Sequence, residues 1–138
     1  ITKSFSACSF PILKQGNPCP RWNACTSFST PGLIRTEIAK FADGSTYLTF
    51  ARTVTGVPGG WHDPAPVHVI AMGCPVERAS EVVYADRLDL EAEPSRIGVS
   101  CHLCDWTECR SRAFPPLNHR LAPSLDRRGA APFSFVEE

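Results

Sequence analysis

Phe41-Ala42-Asp43-Gly44-Ser45-Thr46-Tyr47-Leu48-Thr49-Phe50-Ala51-Arg52-Thr53-Val54 reads as a tight turn followed by a strand. Asp-Gly tolerates the positive φ that tight hairpins need, and the run from Thr46 onward is rich in β-branched and aromatic residues. Upstream, Ile34, Glu37 and Ile38 alternate loosely before Lys40, so Leu33 to Val54 reads as a β-hairpin. In its return strand Tyr47, Thr49, Ala51 and Thr53 share one face, and Leu48, Phe50, Arg52 and Val54 share the other. Arg52 thus sits on the more apolar face of a central strand, where a guanidinium needs a partner. That partner is an anionic ligand or, from a strand end, solvent or a carboxylate.

Working outward, residues 1–18, ending in Gly16-Asn17-Pro18, read as a short lead-in strand or ordered coil. Cys19 to Phe28 reads as a short helix that stops before Pro31-Gly32, with Trp22, Cys25 and Phe28 on one core-packing face. On the other side of the hairpin, three prolines and three glycines around Trp61-His62 make residues 56–66 a loop, mobile enough for a lid. Val67 to Cys74 is apolar on both faces and is expected to be a strand buried in the sheet. After Pro75, Val76 to Ala85 reads as a helix with Val76, Ala79, Val82 and Val83 inward, and Arg87 to Pro94 as an acidic, solvated stretch. Helix, hairpin, strand and helix in that order predict an α+β fold, an antiparallel sheet with packed helices in the manner of GAF or PAS domains.

A chain of 138 residues is one domain with room for a real core. Its 14 basic and 14 acidic side chains cancel, so it lacks the basic excess of a domain that grips nucleic acid. Contact with DNA is therefore expected from another domain. The chain starts at Ile1 without a leader and reads as a piece of something larger. No apolar run approaches the roughly 18 residues of a membrane span, which places it in the cytoplasm with no membrane partner. There, reduced or metal-bound thiols are the default.

Cys101-His102-Leu103-Cys104-Asp105-Trp106-Thr107-Glu108-Cys109-Arg110 holds three of the seven cysteines. A Cys-x-x-Cys turn can aim two sulfurs at one point, the arrangement of a structural zinc site. Zinc takes four ligands, so Cys101, Cys104 and Cys109 need a partner from elsewhere, Cys74 or Cys19. Disulfides and reduced core cysteines are the alternatives; an iron–sulfur centre would also accept thiolates, though its usual runs include a fourth nearby cysteine. Arg110 and Arg112 stand close enough in sequence to offset the charge of a thiolate site, and Arg112 can instead face a ligand. His102, between two candidate ligands, is expected to point away. No phosphate-binding Gly loop, Gly-x-Ser-x-Gly elbow or His-Glu-x-x-His helix is present, and no cysteine carries a catalytic signature, so the chain is not expected to be an enzyme.

Several stretches share one resemblance: Cys19-Pro20-x-Trp22-Asn23, Pro31-Gly32, Asp43-Gly44 with Phe50-Ala51-Arg52-Thr53, Gly73-Cys74, Tyr84-Ala85-Asp86, and Ile97-Gly98 followed by Cys101, Cys104, Cys109 and Arg112-Ala113-Phe114-Pro115-Pro116. They resemble the C-terminal domain of the short-chain fatty acyl-CoA regulators, transcription factors with a helix-turn-helix at the other end. The resemblance implies a ligand-sensing domain over residues 1–116, a C-terminal extension over 117–138, and a DNA-binding domain absent from this chain. It implies control of acetate, propionate or glyoxylate-cycle metabolism by acyl-CoA supply, in a full-length protein that forms homo-oligomers. Coenzyme A phosphates call for cations at a pocket mouth, and a short acyl group for a small apolar site. Arg52 and Arg112 are the candidate anion contacts, Trp22 and Tyr84 the candidate lining. A structural zinc module for dimerisation or partner binding, and a thiol-dependent enzyme, are the competing classes.

Overall fold

The Asp43-Gly44 turn closes as its residue types require in the computed structural model, which describes residues 17–86, 88–123, 131 and 133–136. Gly44 adopts φ 88°, and Asp43 Oδ1 accepts both the Ser45 backbone N–H and its hydroxyl. The turn joins β1 (Arg35–Lys40) to β2 (Thr46–Thr55), antiparallel with Ile38 opposite Leu48. β3 (Val67–Pro75) pairs antiparallel with β2 along its whole length, and β4 (Ser95–Arg96) pairs parallel with β1. Strand order is β3-β2-β1-β4, so the sheet is mixed rather than wholly antiparallel. The lead-in expected over residues 1–16 lies outside the described residues.

Helices are scarcer than the sequence pattern suggests. The segment after Cys19 forms only α1 (Asn23–Thr26) and a 3-10 turn, Ser27–Ser29. Its buried side chains are Cys19, Asn23 and Ser27, four residues apart, while Phe28 is half exposed. Polar anchoring decides this. Asn23 Nδ2 donates to Thr49 Oγ1 at 3.0 Å, its backbone N–H donates to Glu37 Oε1 at 2.9 Å, and the Ser27 hydroxyl donates to the Asn23 carbonyl at 2.6 Å. Trp22 precedes the helix and packs edge-on to Phe41.

The helix expected over Val76 to Ala85 is instead two 3-10 turns, Val76–Glu81 and Val83–Ala85. Val82 is extended between them, which resets the period. Val76, Ala79 and Val82 still face inward, but Val83 is largely exposed.

Two small cores lie on opposite faces of the sheet. Cys19, Ala39, Phe41, Tyr47 and Ile97 form one, with Trp22 and Val99 against it. Ile38, Leu48, Ala79 and Ala85 form the other, with Cys74, Val76, Val82 and Leu88 against it. β3 is an edge strand rather than a buried one, leaving Ile70 54% and Met72 58% exposed. Beyond the cysteine loop, Leu121 and Phe135 form a bridge that folds part of the tail back on itself.

Candidate functional site

The cysteine loop hangs from the sheet edge opposite β3. β4 runs beside Ala39 and Lys40, and the Ile97 N–H donates to the Lys40 carbonyl, which directs the chain into Gly98 and then Cys101. Two indoles hold that approach: Trp22 Nε1 donates to the Gly98 carbonyl at 2.8 Å and Trp106 Nε1 to the Ile97 carbonyl at 2.9 Å. Cys101 and Cys104 are buried at the two ends of a single 3-10 turn. Gly98 has to be glycine here, because a Cβ would come within 2.7 Å of Cys104 Sγ.

The structure brings Cys19 to this loop. Burial pushes its thiol up from the ordinary range against the lowering effect of the Gly98 and Arg21 backbone, and the neighbouring Cys101 and Cys104 push it further. Burial likewise raises Cys104, opposed by the Trp106 backbone and the charge of Arg112, with Cys109 and Cys101 adding to the rise. Cys74 does not join them. It lies opposite Leu48 in the β2–β3 register and packs against the Leu48 core, whereas Cys19 belongs to the Tyr47 core on the other face. Adjacent strand residues point to opposite faces, so the sheet places Cys74, one of the two candidates for a fourth ligand, on the face away from Cys19. Cys19, Cys25, Cys101, Cys104 and Cys109 are thiols and not disulfides.

The donor set suits a soft cation: four cysteines, two of them flanking a turn, with a glycine cradle beneath one sulfur. The thiols are neighbours and not a formed coordination sphere, since among the described residues no group of three or more His, Cys, Asp or Glu is arranged to hold a metal ion. The fit therefore lies in donor chemistry and backbone shape. His102 Nδ1 lies within 3.0 Å of the Pro115 carbonyl, and its ring tilts over Phe114.

The four residues expected to meet a ligand divide into two pairs. Arg52 is exposed on the Leu48 face of β2, and Tyr84 packs on that same face through Phe50, ring centroids 4.8 Å apart. Trp22 and Arg112 serve the cysteine loop instead. Arg112 is 5% exposed, with Nη1 donating to the Cys101 carbonyl and Nη2 to those of Cys104 and Trp106. Sequence reasoning missed Ile70 and Met72, which extend the Arg52 and Tyr84 face along β3. Their apolar character was visible; that β3 forms the sheet edge was not.

Residues 1–133 match the family described as short-chain fatty acyl coenzyme A regulator, C-terminal. This chain belongs to that family. The chain is 42% identical over 137 residues to the propionyl-CoA carboxylase regulator of Cereibacter sphaeroides, covering 99% of this chain and 30% of that one. It is 34% identical to the HTH-type transcriptional regulator RamB of Mycobacterium tuberculosis, covering 96% of this chain and 29% of RamB. Identity to the HTH-type transcriptional regulator PrpR of the same species is 31%, covering 100% and 29%. A solved Mycobacterium tuberculosis transcriptional regulator superposes with a TM-score of 0.79 at 29% identity, over 86% of this chain and 37% of that chain. The chain thus spans about 30% of the length of the curated relatives it matches. No helix among the described residues is long and apolar enough to cross a membrane.

Proposed function

We propose that this chain is the ligand-sensing, regulatory C-terminal domain of a transcription factor that responds to short acyl-CoA esters in acetate or propionate metabolism. The observation that carries the reading is the match of residues 1–133 to the C-terminal domain of acyl-CoA regulators. DNA binding belongs, on this reading, to a separate helix-turn-helix domain, consistent with a formal net charge of zero here. The Leu48 face of β2 and β3 is the best-suited place for the ligand. Ile70, Met72 and Phe50 offer apolar surface for the acyl and pantetheine parts, and exposed Arg52 offers a cation for phosphate. The likeness to GAF and PAS sensors is part of the same reading, as a small sheet with one face left open. Isothermal titration with acetyl-CoA, propionyl-CoA and free CoA tests it. Saturable heat with an acyl-CoA is expected, and absence of binding by all three removes the sensor function.

The thiolate site is a structural metal centre on the same proposal, held by Cys19, Cys101, Cys104 and Cys109. A bound metal would tie the lead-in at Cys19 to the loop at 101–109 through bonds that side-chain packing alone does not provide. One zinc per chain is the expected content of protein purified without added metal. With Cys19 present as a fourth sulfur, the donor set also meets the requirement of an iron–sulfur cluster. Elemental analysis with acid-labile sulfide separates the two, and the absence of both zinc and iron removes the metal centre. A second reading, a zinc module that binds a partner or a second copy without a small ligand, is favoured by the exposed edge of β3. Light scattering decides it: dimerisation that is independent of acyl-CoA, in protein that binds none, would replace the first reading.

A further inference from the structure

Among the described residues Arg112 is the one charged side chain that is fully buried, at 5% exposure. Its guanidinium donates to three backbone carbonyls, those of Cys101 at 2.7 Å, Cys104 at 3.0 Å and Trp106 at 2.6 Å. Carbonyls satisfy N–H groups without cancelling charge. No carboxylate among the described residues forms an ion pair with Arg112, and its buried Nε has no hydrogen-bond partner. The ring of Phe135, 5.4 Å away, caps one side of it. A buried cation without an anion is costly, and evolution can replace it with an apolar side chain of similar volume unless something negative arrives beside it.

The anion has an evident source. Arg112 laces the stretch that presents Cys101 and Cys104, and the Ala113 N–H next to it lies 3.4 Å from Cys101 Sγ. We infer that Arg112 is the positioning residue and counter-charge of a net-negative, thiolate-bound centre: its fork fixes the loop that aims the sulfurs, and its charge balances the excess thiolate charge that remains once a metal is bound. The inference rests on the thiolate-metal reading above. It assigns Arg112 to the loop and removes it from the contacts available to acyl-CoA.

The test compares wild-type chain with Arg112→Lys, Arg112→Gln and Arg110→Gln, each purified without added metal. Metal content and the rate of metal release to a chelator are measured, with folding followed by far-UV circular dichroism. Arg112→Gln is expected to release its metal at least about tenfold faster than wild type, the scale on which groups behind metal ligands act. Arg112→Lys keeps the charge and is expected to fall between the two, and Arg110→Gln, which removes an exposed charge, to match wild type. Release from folded Arg112→Gln at the wild-type rate overturns the inference, as does release from Arg112→Lys as fast as from Arg112→Gln, which would leave Arg112 a neutral tie. If Arg112→Gln does not fold, Arg112→Lys decides: folded protein without metal overturns the role of charge. Wild-type chain without zinc or iron sinks the metal reading first, and with it this one.

Discussion

The two faces of the sheet are built on opposite terms. On one, Tyr47, Thr49, Ala51 and Thr53 of β2 are all buried, although three of the four carry a hydroxyl. On the other, only Leu48 is fully buried, and Arg52 and Val54 lie open beside Ile70 and Met72. The face with fewer large apolar residues is the closed one. Hydrogen bonding explains the inversion. The segment from Cys19 to Gly32 lies over the hydroxylated face, where Asn23 meets Thr49 and the Gly32 N–H donates to Thr53 Oγ1 at 2.7 Å. Such contacts fix one packing arrangement, because a misplaced segment would leave buried polar groups unpaired. Among the described residues the greasy face is covered at its Ala79 and Ala85 end, while Arg52, Val54, Ile70 and Met72 stay exposed.

Leu48 is where that open face is sealed, at 0% exposure, so Leu48→Ala is expected to have the largest effect. Unfolding in urea should show a loss of about 2–5 kcal/mol, from lost apolar burial and the cavity left behind. A loss under 1 kcal/mol would mean that Ala79 and Ala85 do not close over it. On the other side, Gly98→Ala sets a methyl group against Cys104 Sγ. It is expected to cost about 1–3 kcal/mol by overpacking, and, on the proposed metal centre, to weaken metal retention at the same time.

A third test exploits pH. Glu37 sits on the closed face, and burial raises its pKa above the ordinary 4.5 against the lowering effects of the Asn23 N–H, the Ser95 hydroxyl, Arg35 and Arg21. An acid raised in the folded state holds its proton there longer than in the unfolded chain. Its contribution favours folding fully below the unfolded value and is lost as pH rises through the folded one. Denaturation midpoints are expected to fall over that window, and Glu37→Gln to flatten this part of the slope while keeping an acceptor for the Asn23 N–H. An unchanged slope in Glu37→Gln would show that the carboxylate is solvated. The smallest change in stability is expected on the open face: Met72→Thr should shift it by no more than about 0.5 kcal/mol, yet weaken, in titration, the acyl-CoA binding proposed for that face.

Much of the sheet was legible because its signals are local. Asp43-Gly44 specifies its turn, and β-branched and aromatic residues mark β2 and β3 whatever surrounds them. The placing of β3 at the edge was not legible, since an apolar run reads the same whether buried or awaiting a partner. Nor was the buried row Cys19, Asn23 and Ser27: hydrophobic periodicity selects Trp22, Cys25 and Phe28, and an asparagine gives no sign that its amide will meet Thr49 across the fold. At the candidate site, the spacing of Cys101, Cys104 and Cys109 pointed to the loop, but that Cys19 neighbours it and Cys74 does not depends on the strand register. Arg112 was singled out for its charge, while its bonds to three carbonyls depend on a loop conformation that no short pattern encodes.

Trp22 and Trp106 donate to the consecutive carbonyls of Gly98 and Ile97, while Trp61 stands in solvent at 95% exposure. The chain thereby carries an optical gauge with its own blank. Emission from the first two should track any rearrangement of the segment entering Cys101, and the third should hold steady as the reference. Replacing Trp61 with Phe would darken that background and leave a spectrum that answers only to the cysteine side of the molecule.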